Sequence, residues 1–468
     1  MFLTAARIFT FSFSAALPII FGSWSSTIAL ELFTGYFGFS NQDAMVASSW
    51  YTSSFLYGII VGCFIWPELV KHLEKRTSLL IGLLVTGASC FVMATFSQFW
   101  VVCGLRFLCG IGHNFSSVGK DFIYEFAHSP MARQYGFSAK SALNMIALFV
   151  GPFAGYLIFR KFDGNFASCV LAIGFLYLAG ILLFIIVFYV FYNVNKEIAA
   201  ELQKVSTEHI SEEEAKIVVK ENEEEVEPLS LWQVTKVSLT NRYMRSMILT
   251  YTLSNAVNKT FAGFTAIFCV LAWQDGGLGL PTELYSFISF LSFIPAVIML
   301  FTSPLYVPKR VSFFNFIKTF LFIIIAVILL IPGFRIIFTE SSIRNLGVFF
   351  VISLIFWGNP KQFSPFISIL INNEVAPENR TSINALMVLF QNSVSAILIN
   401  LMAPVFSYTV FDPRFTQFQP YNAFIPFGII AVICGVPVFL LTKENSERAR
   451  KTSEIMREKD LDGSGSDA

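Results

Sequence analysis

Five basic side chains stand inside otherwise apolar stretches of the chain, namely Arg106, Lys140, Lys259, Lys318 and Lys361. The carboxylate nearest to such a stretch is Glu31, close to its end. A charge at the centre of a bilayer costs at least about 2.5–3.5 kcal/mol, so each of these is a candidate for function. A cavity with surplus positive charge attracts anions. Arg106 sits about midway along its stretch and reads either as glue to a neighbouring helix or as an anion or gating contact. Lys259, within NAVNKTFAG, has Asn255 one turn back; Lys361, within WGNPKQFSP, lies where Pro360 and Pro365 disturb a helix and free its carbonyls. For both, snorkelling and substrate contact stay open. Lys318 and Lys140 are near enough to helix ends to snorkel. Asn144, Asn359, Gln362, Asn384 and Gln391, with Ser23 and Ser26, are the polar groups suited to a solute, and Trp50, Tyr51 and Trp357 are aromatic contacts. Histidine ordinarily titrates near neutral pH, which makes His113 the candidate proton site, although a lone histidine in such a stretch is more often hydrogen-bonded packing. The chemistry these residues suit is the binding of a small organic solute, anionic or zwitterionic.

The elements that must position them are membrane helices. Of 468 residues, 55% are hydrophobic and only 13% are charged, and 54 are Phe. A soluble domain carries roughly 25% charged residues, so this chain cannot wet its own surface. A net charge of +1 leaves no basic stripe for nucleic acid. Apolar runs long enough to cross a bilayer lie near 8–31, 44–66, 78–97, 98–119, 136–159 and 166–192, and again near 245–273, 282–305, 313–333, 346–371, 382–409 and 423–442. The expected fold is therefore an all-α membrane protein of about twelve transmembrane helices. With both termini on the cytoplasmic side, 22 of the 32 Lys and Arg fall inside, five outside and five within spans, as the positive-inside rule requires. The seven Cys lie in or beside apolar runs and read as small hydrophobes. No phosphate-binding GxxxxGK[ST], metal-binding HExxH or CxxC, or GxSxG nucleophile elbow occurs. The chain reads as a non-enzyme with no cofactor and no metal.

Between 193 and 237 the character changes. The segment KEIAAELQKVSTEHISEEEAKIVVKENEEEVEP holds eleven Glu against four Lys and is followed by a short amphipathic piece, LSLWQVTKV. It reads as a solvated cytoplasmic linker, or more sharply as a docking site for a protein partner. The expected organisation is a six-helix bundle over 1–192, the acidic linker over 193–237, a second six-helix bundle over 238–442 and a cytoplasmic tail over 443–468. Two pseudo-symmetric six-helix halves are the plan of transporters that hold solute at the interface of repeats, near the bilayer midplane.

Several segments resemble the major facilitator superfamily. RFLCGIGHNFSSVGKDFIYE (Arg106 to Glu125) is similar to its fourth-helix segment, which opens with arginine and runs through close-packed glycines. GPFAG, with Gly151, Pro152 and Gly155, looks like the fifth-helix Gly-Pro motif common in its antiporters. NNEVAPENRTSINAL and APVFSY, with Arg380 before an Asn-containing helix start, resemble the zinc-induced-facilitator-like and tetracycline-antiporter-like branch. The resemblance implies alternating access of two halves about a central site, and a structural or gating role for Arg106. One stretch departs from the pattern. In GCFIWPELVKHLEKRTSLL, Lys71 stands where the family has an aspartate and Glu74 where it has a glycine, while Lys75 and Arg76 keep the basic end. The aspartate helps to latch the halves on the cytoplasmic side, so the usual latch is in doubt. The rival reading is a transport-inactive subunit of this fold in a larger membrane complex.

Overall fold

The structure, a computed structural model, describes residues 2–27, 32–114, 120, 123–124, 127, 130–190, 229–270, 279–306 and 364–411. The expected spans at 313–333 and 423–442, most of that at 346–371, the linker from 193 to 228 and the tail lie outside the described residues. So do Lys318, Trp357, Asn359, Lys361 and Gln362, and the side chains of Ser23 and Ser26.

All the regular elements described are helices. In chain order they are α1 (Phe2–Thr27), α2 (Asn41–His72), α3 (Lys75–Met93), α4 (Phe99–His113), α5 (Pro130–Lys161) and α6 (Phe166–Ile185), followed by α7 (Leu231–Thr240), α8 (Arg242–Val270), α9 (Thr282–Tyr306), α10 (Ser364–Asn373) and α11 (Arg380–Phe411). Side-chain caps set several starts. Ser40 accepts from the Asp43 amide to open α2, and Asn165 accepts from Ser168 to open α6. Stretches of α1, α2, α3, α5, α6 and α11 are each long and apolar enough to cross a membrane, and α4 is a shorter apolar helix of 15 residues. α7 is the amphipathic piece seen in the sequence. A reciprocal Ser230–Gln233 capping box opens it, it buries Val234 and Ser238, and it leaves Trp232 exposed.

The connections at 73–74, 94–98 and 162–165 are short, so α2, α3 and α4 run up and down in turn, as do α5 and α6. One mouth of the bundle carries 94–98 and 162–165; the opposite mouth carries 73–74 and, through the contacts below, the start of α11. Glycine allows the closest approach between α2 and α4. A Cβ on Gly58 would lie 2.0 Å from the Phe107 carbonyl oxygen, and one on Gly110 would lie 2.1 Å from that of Phe55. Gly155 does the same between α5 and α1, where a Cβ would overlap the Trp24 indole. The Gly-Pro motif is thus a packing surface: Gly151 and Pro152 are buried and α5 continues through them. All six Cys described are buried free thiols. The first half meets the second chiefly where α2 lies along α11 and α5 along α9. Between α2 and α11 an apolar seam forms from Leu56, Ile59 and Cys63 against Ala385, Val388, Ala396 and Ile399.

Candidate functional site

A cavity of about 260 Å³ lies between the two halves. Each helix contributes one stripe at helical spacing, as a helix with a single inward face must. α1 gives Ala15, Pro18, Ile19 and Gly22, and α2 gives Thr52, Phe55, Leu56 and Ile59. From α4 come Arg106 and His113, seven residues apart, and from α5 Phe137, Lys140, Ser141, Asn144 and Leu148. The second half supplies Tyr251, Asn255 and Lys259 of α8, Ser364 and Ser368 of α10, and Val388, Gln391, Asn392 and Ile399 of α11. Lys120, between α4 and α5, completes the wall. Among the described lining residues there is no carboxylate.

Of the sequence candidates, Arg106, His113, Asn144, Asn255, Lys259 and Gln391 are brought together here. Arg106 is 2% exposed. Its guanidinium carbon lies 4.2 Å from the Phe21 ring centroid, 4.6 Å from Phe55 and 5.3 Å from Tyr51, a cation–π cup. Its Nε and Nη1 are buried without a hydrogen-bond acceptor among the described residues. A Cβ on Gly22 would stand 3.3 Å from its Nη2, so glycine leaves the guanidinium its room. Lys259 donates to Asn392 Oδ1 at 2.6 Å, and Asn255 donates to Ser364 Oγ at 2.9 Å. The His113 ring stacks on Phe55 at 5.4 Å.

Two cavity cations escape the sequence reading. Lys120 is counted there as a cytoplasmic loop residue and Lys140 as a snorkelling one. Both are buried on the cavity wall, Lys120 donating to Tyr251 Oη at 3.2 Å and Lys140 lying 5.1 Å from the Phe11 ring centroid. Asn392 and Ser364 are likewise new; the only prior signal for Asn392 is its neighbour Gln391. Asn384 is placed elsewhere. It exchanges two hydrogen bonds with Asn372, at 3.1 and 3.0 Å, and joins α11 to α10. Tyr51 packs behind Arg106, and Trp50 packs against Trp100, away from the cavity.

Polar contacts cross between the halves at both mouths. At the mouth carrying 162–165, Tyr156 donates to Glu283 at 2.6 Å, with Arg160 3.5 Å from the same oxygen. About midway along α2, Asn400 donates to Tyr57 Oη at 2.7 Å, and Ser53 lies 2.8 Å from Asn400 Oδ1. At the opposite mouth Tyr124 donates to the Ile369 carbonyl at 3.3 Å, and Arg380 lies over the Tyr124 ring at 4.5 Å while donating to the Asn372 carbonyl. The altered loop resolves into local pairs: Lys71 with Glu68 at 2.9 Å, and Arg76 with Glu74 and the Tyr189 ring.

The sequence profile described as Major Facilitator Superfamily matches residues 12–399. Among solved structures, the chain is similar to a D-xylose–proton symporter, with 11% identity and a TM-score of 0.62, over 93% of this chain and 96% of that one. It is similar also to the human organic anion transporter MFSD10 (TETRAN), with 13% identity and a TM-score of 0.59, over 93% and 99%. No curated protein matches it in sequence.

Proposed function

The chain belongs to the Major Facilitator Superfamily and is an integral multi-pass membrane protein of that transporter fold; on that footing we propose that it moves a small anionic or zwitterionic organic solute by alternating access. The observation that carries this reading is the cavity between the halves. It is lined by Arg106, Lys120, Lys140 and Lys259 with neutral polar groups between them, and with no carboxylate among the described residues. Cations of both halves face one volume, which is where a rocking carrier holds its load. At 260 Å³ it falls just under the roughly 300 Å³ at which pockets for drug-sized ligands begin, which suits a metabolite. The distribution of Lys and Arg supports termini on the cytoplasmic side. The 372–386 and 403–408 segments support placement nearest the zinc-induced-facilitator-like and tetracycline-antiporter-like branch.

Flux in proteoliposomes tests the reading. Purified protein is expected to accumulate or exchange at least one labelled organic anion, and Lys259→Gln to slow it at least tenfold. Flux unchanged in Lys259→Gln would remove the cation from the solute path. Absence of flux against a broad panel, with stable co-purification in a large assembly, would instead favour a transport-inactive subunit.

A further inference from the structure

We propose that Cys90 and Cys109 are an oxidation site: a buried dithiol that a peroxide converts to a disulfide, stapling α3 to α4. Both thiols belong to the apolar core of the first half, and the site stands whether or not the protein carries a solute.

The two helices interlock at this point. The Thr86 hydroxyl of α3 donates to the Cys109 carbonyl of α4 at 3.5 Å, and the Cys109 sulfur lies 3.8 Å from the Thr86 carbonyl oxygen. Gly112 keeps the helices close, since a Cβ there would stand 2.8 Å from the Gly82 carbonyl oxygen. Cys90 follows Thr86 by one turn and so shares its face of α3; its thiol and that of Cys109 are hydrogen-bonding partners. Both residues are 0% exposed. A buried thiol reads first as a small hydrophobe, but the surroundings of this pair are polar. Arg106 precedes Cys109 by one turn of α4, and Tyr51 of α2 and Tyr177 of α6 both act electrostatically on Arg106 and on the two thiols. The Arg106 Nε and Nη1 and both phenol hydroxyls are buried without a hydrogen-bond partner among the described residues. Cys169 and Cys269 are also buried, yet among the described residues no charged group acts on either.

Buried donors without an acceptor are costly and uncommon. A sulfur that has lost its proton is an acceptor, and the thiolate rather than the thiol is the nucleophile. The guanidinium and the two hydroxyls supply the counter-charge and the hydrogen bonds that this reactive form needs in a core that otherwise opposes charge. In the first step one sulfur gives up its proton and attacks an oxygen of hydrogen peroxide. The O–O bond breaks, a sulfenic acid forms, and the other oxygen leaves with that proton as water. In the second step the partner sulfur attacks the sulfenic sulfur; the S–S bond forms, and the sulfenic hydroxyl leaves as water with the partner's proton. Two thiols lose two electrons, and one peroxide becomes two waters. Hydrogen peroxide is small and uncharged, so burial does not exclude it as it excludes an ionic oxidant. The disulfide ties α3 to α4 around the 94–98 connection and takes conformational freedom from the unfolded chain.

The test exposes full-length protein in detergent to hydrogen peroxide, blocks the remaining thiols with iodoacetamide in denaturant, and maps the unreduced peptides by mass spectrometry. The peptides carrying Cys90 and Cys109 should appear joined, lighter by two hydrogens, and should separate again with dithiothreitol, while Cys169 and Cys269 are recovered alkylated. Oxidation should raise the thermal midpoint of wild type and of Cys103→Ser, and leave that of Cys90→Ser and Cys109→Ser where it was. Arg106→Gln should slow the linkage at least tenfold. Tyr177→Phe removes a single hydroxyl and should slow it about threefold, so the polar surroundings are tested even if Arg106→Gln unfolds. The proposal is overturned if the two peptides never join, if all the described cysteines oxidise at one rate, if Cys90 joins Cys103 as readily as Cys109, or if the linkage forms at the wild-type rate in both Arg106→Gln and Tyr177→Phe.

Discussion

The contact of Asn400 with Ser53 and Tyr57 gives a sharp prediction about opening. It joins α11 to α2 across the halves, with distances of 2.8 and 2.7 Å. Interhelical side-chain hydrogen bonds in membranes average about 0.6 kcal/mol, so the pair holds α11 against α2 by roughly 1.2 kcal/mol. Asn400→Leu removes both bonds at similar volume and should raise the open fraction about eightfold. The contact of Tyr156 and Arg160 with Glu283 remains, but its charged pair is exposed and such pairs contribute only ~0–1 kcal/mol. The assay is the labelling rate of a cysteine placed at the cavity residue Thr52, in a background whose native cysteines are alanine, by a membrane-impermeant maleimide. In the Tyr57→Phe background the effect of Asn400→Leu should shrink about threefold, because the ~0.6 kcal/mol bond is already lost. Equal labelling of Asn400→Leu and its parent, or an undiminished effect in Tyr57→Phe, would refute the assignment of these contacts as a latch.

The opposite mouth should respond in the opposite sense: Tyr124→Phe deletes the bond to the Ile369 carbonyl and should slow Thr52Cys labelling from the first side by about threefold. Gln391→Glu sets a near-isosteric carboxylate among the cavity cations; the thermal midpoint should rise in a melting series, and proteoliposome flux of a labelled organic anion should fall at least tenfold. Gly58→Ala drives a Cβ to 2.0 Å from a backbone oxygen, so urea or thermal melts should show a loss at the upper end of the ~1–3 kcal/mol typical of overpacking. If anion binding is needed to close the halves, solute exchange should outrun net efflux in proteoliposomes by tenfold or more, measured as tracer loss with and without solute on the far side.

Much of this was legible because bilayers impose hard constraints on sequence. Apolar length fixes where helices run, and a cation within such a length has few places to go except a cavity or a helix end. That logic reaches Arg106 and Lys259. It does not fix the rotation of a helix that is apolar all round, since the inward face is set by packing such as the Gly58–Gly110 approach. Asn384 and Gln391 are seven residues apart on nearly one face of α11, yet Asn372 captures the first and only the second reaches the cavity. Lys140 fails for a different reason. The apolar run begins near 136, which puts Lys140 beside an end, whereas α5 begins at Pro130 and carries it nearly three turns inside. Lys120 lies past the end of α4 and looks like a loop residue until tertiary packing folds it back onto Tyr251.

The departures in this chain bear on a single energetic question, what draws the halves together. Two unit charges about 10 Å apart repel by roughly 1.7 kcal/mol at an effective dielectric of 20. Arg106 and Lys140 in one half therefore oppose the approach of Lys259 in the other, by an amount comparable to the cross-half hydrogen bonds taken together at ~0.6 kcal/mol each. An acidic latch residue would help, but position 71 is lysine, and it pairs with Glu68 on its own helix. On the proposed transport reading, neutralising part of that charge would favour the closed state. An anionic solute seated between Arg106 and Lys259, as proposed above, would offset their repulsion and so couple closure to the load.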